Sequence, residues 1–224
     1  MDDGSKDIQQ SLDMLHACAD QNIDLVIATP HFYGEKESVN RFLERRNTSF
    51  IGLNHAIAQE KGLPMILLGS EVSFYDGISR TDEIDRLCAG KSRCLLLEMP
   101  FEKWNRRILS EVYSLMLVKR LDVIIAHIER YLPYGNTERE LRDLIEMGAI
   151  FQINTSSFRK YHSRKCVLNL LKTGDFFVLG TDCHNTSDRR PDFSGAQRAI
   201  AAKFGQEKLR KIDALSKSLI TKCQ

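Results

Sequence analysis

The sequence predicts an α/β fold, a distorted TIM-like β/α barrel. Three observations carry that expectation. Six short apolar runs of strand type alternate with longer amphipathic ones. Several runs are apolar at almost every position, as in a parallel sheet covered by helices. Polar and ionisable residues collect at the C-terminal ends of the runs. In a barrel of parallel strands those ends share one face, which favours a barrel over an open sheet.

The elements follow in order. A helix is predicted from Ser5 to about Asn22, with Ile8, Leu12, Leu15 and Ala19 on one face. The first strand run is DLVIATP, and a helix over about Val39–Lys61 follows it. The second run is MILLGSEV and the third RCLLLEMP, with a helix over about Lys103–Arg120 behind the third. The fourth run, DVIIAHI, leads to a helix over about Thr137–Met147. The fifth, AIFQIN, leads to one over about Arg164–Lys172. After the sixth, FFVLGTD, helices are predicted at Gly195–Phe204 and about Gln206–Leu219. No linker, repeat or low-complexity stretch divides the chain, so one domain over residues 1–224 is expected.

The bulk composition agrees. The 224 residues are 42% hydrophobic, enough for one sizeable core. A net charge of +2 calls for neither nucleic acid nor an anionic membrane. The six cysteines, Cys18, Cys88, Cys94, Cys166, Cys183 and Cys223, form no Cys-x-x-Cys pair and read mostly as small buried residues. The chain opens on acidic and polar residues, and no apolar run approaches the roughly 20 residues that cross a bilayer. A soluble protein of the reducing cytoplasm, with no membrane insertion, is expected.

The chemistry collects at the strand ends. The first run ends at His31, the second at Glu71, the third at Glu98, the fourth at His127, and the sixth at Asp182 and His184. Singly, each has an ordinary reading as a helix cap, an ion-pair partner or a satisfied core polar group. Jointly they describe a pocket of imidazole and carboxylate ligands, a mixture suited to Mn, Fe or Zn. Asp182 and His184 alternate along one strand and so face the same way. His16, His55 and His162 lie in helix patterns or polar stretches and read as surface or packing residues.

Arginines stand just beyond these ends: Arg130 after His127, and Arg189 and Arg190 after His184. The guanidinium fork matches phosphate oxygens. Metals with arginines above them point to phosphate-ester hydrolysis. One competing signal is Cys183 to Arg189, a Cys-x5-Arg spacing used by cysteine-dependent phosphatases. The intervening HNTSD has no glycine to wrap an anion, and Asp182 disfavours a thiolate beside it.

The segments DDGSKD, IATPH, GSEV, LLLEMPF, IAHIERY and GTDCHN resemble those of bacterial metal-dependent protein-tyrosine phosphatases of the PHP (polymerase and histidinol phosphatase) superfamily, which accompany capsular and extracellular polysaccharide gene clusters. The resemblance runs in order over essentially the whole chain. It implies the PHP barrel and up to three metal ions, usually Mn2+. It also implies dephosphorylation of a partner bacterial tyrosine kinase. By position it implies Asp3, His31, Glu71, Glu98, His127, Asp182 and His184 as metal ligands. Arg130 and Arg189 would hold the substrate phosphate, with Arg190 the fallback for a loop shifted by one. His184 or a metal-bound water would supply any proton the leaving group needs. Small phosphate esters such as histidinol phosphate are the alternative substrate class.

The resemblance has one departure. The family begins with a strand carrying Asp-x-His-x-His shortly before DDG, whereas this sequence opens on MDDG. The expectation is a start codon assigned too late. The alternative is a truncated chain lacking the first barrel strand, weakly active or reduced to a phosphate-binding module.

Overall fold

The computed structural model describes residues 1–136 and 138–221. Helix α1 (Ile8–Ala19) is followed by β1 (Leu25–Ala28), β2 (His31–Phe32), α2 (Val39–Ile57), β3 (Met65–Leu68), β4 (Glu71–Ser73) and β5 (Cys94–Glu98). Then come α3 (Arg106–Leu117), β6 (Asp122–Ile125), α4 (Glu138–Glu146), β7 (Ile150–Asn154), α5 (Tyr161–Leu170), β8 (Phe177–Gly180), α6 (Ser194–Phe204) and α7 (Gln206–Thr221).

The eight strands occupy the six runs read from the sequence. β1 and β2 form one row broken at Thr29-Pro30, and β3 and β4 one row broken at Gly69-Ser70. The register is unchanged across both breaks, with Leu25 opposite Met65 and His31 opposite Glu71. The Gly69 N–H donates to the Ala28 carbonyl at 2.8 Å and the Glu71 N–H to the Pro30 carbonyl at 3.1 Å, which carries the ladder through the gap. Pro30 has no N–H to give, which accounts for the first break. All pairings are parallel, and the rows lie in chain order up to β8.

Alternation along each strand separates two interiors. Leu95, Leu97, Val123, Ile125, Phe151, Ile153 and Phe177 point outward into the main core against the helices. Each such side chain contributes about 1.5–3 kcal/mol by leaving water. The opposite set points into the barrel. Its lower part, Cys94, Ile150 and Val178, packs on Leu219 and Leu215 of α7. Its upper part surrounds a cavity of about 760 Å³ lined by Val26 and Ala28 of β1, Leu68, Leu96, Ile124, Gln152 and residues 178–184. The cavity lies between β1 and β8. Among the described residues no ladder joins those two edges.

The helix ends are set by caps. Asp7 accepts from the Gln10 N–H, and Asn105 from the N–H groups of Arg107 and Ile108. These place the starts of α1 and α3 three residues inside the predicted ones. The predicted face of α1 is corrected as well. Leu12, Leu15 and Cys18 are buried, whereas Ile8, in the first turn at the cavity rim, is 44% exposed. α5 begins at Tyr161, ahead of the predicted Arg164, because extended backbone at Lys160 starts the helix there. Thr137, the predicted first residue of α4, and Cys223 lie outside the described residues. No described helix is long and apolar enough to cross a membrane.

Candidate metal centre

The fold brings the strand-end residues together at the upper mouth of the cavity. His31 opens β2 and faces Glu71, which opens β4. Glu98 closes β5 opposite Ser73. His127 lies two residues past β6, and Asp182 and His184 follow β8. Two groups have ligand atoms all within 4.8 Å of one another: Asp3, His31 and His184, and His31, Glu71 and Glu98. His31 belongs to both, so the two groups are adjacent.

Asp3 lies outermost. Its Oδ1 is 3.5 Å from His31 Nε2 and 3.3 Å from His184 Nε2. The backbone beside it is fastened down, since the His31 N–H donates to Asp2 Oδ2 at 2.8 Å. The Nδ1 of His184 lies 3.0 Å from the Asp182 carbonyl. A proton on Nδ1 satisfies that carbonyl and leaves the Nε2 lone pair facing Asp3, the tautomer a metal ligand needs.

His127 is the innermost member, 1% exposed. Its Nε2 is 3.1 Å from Glu71 and 3.4 Å from Glu98. Burial disfavours its charge, but the hydrogen bonds to the two carboxylates outweigh that and raise its pKa to about 9. The reciprocal effect appears at Glu98. Burial pushes its carboxyl up, while the bond from His127 and the nearby charges of His127, His31 and Arg130 hold it below the usual range. Buried Nδ1 atoms of both His31 and His127 lack a hydrogen-bond partner among the described residues. His127 and Asp182 also sit at positive φ, +32° and +48°, a backbone region that side chains rarely adopt and that collects at functional sites.

These residues fit a metal centre. Carboxylates and imidazole nitrogens converge at ligand spacing, and each Nε2 that faces a carboxylate offers a lone pair once neutral. Asp3, His31 and His184 could hold one ion, and His31, Glu71 and Glu98 its neighbour, with His127 against the two glutamates.

The arginines form a rim beside the centre. Arg130 Nη2 donates to Asp182 Oδ2 at 2.9 Å, and Arg189 Nη2 to Asp182 Oδ1 at 2.8 Å. Arg189 Nη1 also lies 3.5 Å from Asp3 Oδ2. The loop holding Arg189 is closed by its own backbone. Its carbonyl accepts from the His184 N–H at 2.8 Å, and its N–H donates to Asn185 Oδ1 at 3.1 Å. Arg190 is exposed, and Arg189 is the one that turns to the site. The Cys183 thiol is pushed up, first by burial and then by the Asp182 charge, against a bond with Thr181. That is the reverse of what a nucleophilic cysteine needs.

Sequence reasoning passed over several residues here. Asn154 ends β7 and donates to Asp182 Oδ2 at 2.8 Å, while Gln152 donates to Asn154 Oδ1 at 2.8 Å. Gly180 permits this relay, since a Cβ there would lie 2.1 Å from Gln152 Nε2. The signal was an amide at the end of the one strand run that ends in no ionisable group. Asp2, which holds the His31 backbone, is masked in sequence by the neighbouring Asp3. Tyr33 stacks on His31 with ring centroids 5.6 Å apart, and Phe101 on His127 at 6.0 Å.

Comparison with known proteins agrees with this geometry. The chain is 24% identical over 221 residues to the tyrosine-protein phosphatase CpsB of Streptococcus pneumoniae, spanning 95% of this chain and 90% of that protein. It is 27% identical over 218 residues to the tyrosine-protein phosphatase YwqE of Bacillus subtilis, covering 92% and 82%. A crystal structure from work on YwqE of Bacillus subtilis and CpsB of Streptococcus pneumoniae, described as unique metal-dependent tyrosine phosphatases, matches with a TM-score of 0.86. That match has 24% identity and covers 100% of this chain and 91% of that one, so the chain has their PHP fold. The family profile for capsular polysaccharide synthesis, CpsB/CapC, matches residues 1–219, and the chain belongs to that family.

Proposed function

We propose that this protein is a metal-dependent protein-tyrosine phosphatase whose substrate is a bacterial tyrosine kinase of capsular or exopolysaccharide synthesis. It acts in the cytoplasm as a single domain and uses Mn2+. The observation that carries the reading is the meeting of two His31-sharing ligand groups with two arginines at one cavity mouth. The names of the relatives support the same activity.

Asp3, His31, Glu71, Glu98, His127, Asp182 and His184 hold the metals. Asp182 serves two tasks. A carboxylate accepts about four hydrogen bonds, and three positions go to Arg130, Arg189 and Asn154. One remains for a metal. When bound, metal ions supply a hydroxide at neutral pH and charge to neutralise phosphoryl oxygens. Arg130 and Arg189 bind the equatorial oxygens of the phosphate and orient it for in-line displacement. The Asp182 carboxylate holds both forks in the approach direction. The leaving phenolate has a conjugate acid of pKa about 10 and needs little protonation. Nδ1 of His184 faces a carbonyl and its Nε2 is given to the metal, so any proton the leaving group takes would come from water at the site.

The test is release of phosphate from a phosphotyrosyl peptide, with histidinol phosphate as the parallel substrate. Turnover of the peptide with Mn2+, lost on chelation and weak for histidinol phosphate, is expected. Preference for histidinol phosphate would move the site to small esters. No turnover of either with Mn2+, Fe2+ or Zn2+ would leave a binding module and overturn the proposal.

A further inference from the structure

The aromatic residues beside the centre have no part in the mechanism above. Phe101 lies in the loop after β5 and Tyr134 in a turn after β6, both on the face that carries the ligands. The Phe101 ring lies nearly parallel to His127, at an interplanar angle of 10° and a centroid separation of 6.0 Å. Tyr134 flanks it at 6.0 Å, and buried Tyr131 supports it from behind at 5.3 Å. Phe101 is nevertheless 43% exposed and Tyr134 46%. Leu117 and Val118, also exposed, lie at the far end of α3, away from the ligands. A ring that served only to cover His127 would use one face and needs no exposed aromatic partner. Here two rings in contact leave aromatic surface in water beside the arginines and carboxylates that face the phosphate.

We propose that Phe101 and Tyr134 form a shelf that receives the aryl ring of the substrate, so that the site selects aryl phosphate monoesters over alkyl ones. The inference rests on the phosphatase reading and names its source of selectivity. One ester oxygen separates phosphorus from the ring of a phosphotyrosine. A phosphate held between Arg130 and the ligands therefore carries its ring out over the neighbouring wall. Offset-stacked and edge-to-face contacts fit two tilted rings better than one flat surface, and the interplanar angle of 52° between Phe101 and Tyr134 offers both. A seryl or other alkyl ester has no ring to place there.

The experiment measures binding of phenylphosphonate and methylphosphonate to the Mn2+-loaded protein by calorimetry, independently of turnover. Phosphonates are not hydrolysed, so differences in leaving group drop out. Wild type should bind phenylphosphonate about tenfold more tightly than methylphosphonate. Phe101→Ala and Tyr134→Ala should each shrink that ratio, and the double variant should bring it near one. Methylphosphonate affinity should stay the same, which a mere disturbance of His127 would not allow. Phe101→Trp should keep the ratio. Variants that retain the wild-type ratio would overturn the shelf while leaving the phosphatase reading intact. A fall in the affinity of both ligands together would also overturn it and assign Phe101 to structure. A wild type that binds phenylphosphonate yet hydrolyses no aryl phosphate would overturn the phosphatase reading, and the substrate shelf with it.

Discussion

Replacing Asp182 with Asn tests the idea that one carboxylate organises the whole arginine rim. The change keeps the shape and removes the charge. The Asp182 side chain is 6% exposed and accepts from Arg189 at 2.8 Å, Arg130 at 2.9 Å and Asn154 at 2.8 Å. A hydrogen bond to a charged group contributes about 1.5–3 kcal/mol when well buried. The guanidiniums keep 34% and 41% of their side-chain surface in water, so each bond is discounted to about 1 kcal/mol. The Asn154 bond survives if the new amide presents its oxygen. The expected loss for the metal-free protein is about 2 kcal/mol. In a chain of this size that lowers Tm by roughly 4–8 °C. Thermal unfolding in low salt measures it, and a sulfate titration supplies a second signature. With Asp182 neutral the two forks lack their anion, so sulfate should stabilise the variant more than wild type. An unchanged Tm together with an equal sulfate response would refute the claim that Asp182 holds the arginines.

Other perturbations follow from the same geometry. His31→Ala removes the residue common to both ligand groups, so metal analysis should find the loss of more than one ion per chain, whereas His184→Ala should spare the inner site. Cys183→Ser should leave phosphotyrosine turnover near wild type, and loss of activity on that change would revive a thiol mechanism. The carboxylate end of Glu129 is buried, with Oε1 accepting from the Asn154 N–H and Ser157 while Oε2 has no partner among the described residues. Its pKa is raised, first by burial, against the bonds from Ser157 and Asn154. A raised folded pKa gives stability that is present below the unfolded carboxyl value and lost as pH rises through the folded one. Glu129→Gln should therefore gain about 1 kcal/mol over wild type at pH 7 and lose that advantage at pH 4, as followed by urea unfolding.

Much of the fold was legible because its signals are local. The runs RCLLLEMP and DVIIAHI alternate two buried faces, and the caps Asp7 and Asn105 are readable residue types. The ligands were legible because a strand end in a parallel barrel has only one direction to face. What escaped needed pairing information. The outward turn of Ile8 depends on the cavity rim. The grip of Asp182 on two arginines depends on loops 52 and 7 residues away in the chain. Asn154 escaped because an amide reads as an ordinary strand end until its partner is known. Phe101 and Tyr134 carry no signal of their own in the sequence, and only their exposure beside His127 sets them apart.

The open edge along β1 bears on how the centre is assembled in time. The bonds from Met65 to Asp24 and from Gly69 to Ala28 turn even-numbered peptide groups towards β3. The odd-numbered ones turn to the cavity, and His31 is among them, its N–H satisfied by Asp2. Strands β5 to β7 are paired on both sides and open only with the whole domain. The row carrying His31 is paired on one side and can open alone. The ligand shared by both metal groups thus rides on an edge strand. Amide hydrogens there should exchange sooner than those of β6 in the metal-free protein and slow sharply once metal is added. Metal loading would then set the lifetime of the edge as well as the chemistry of the site.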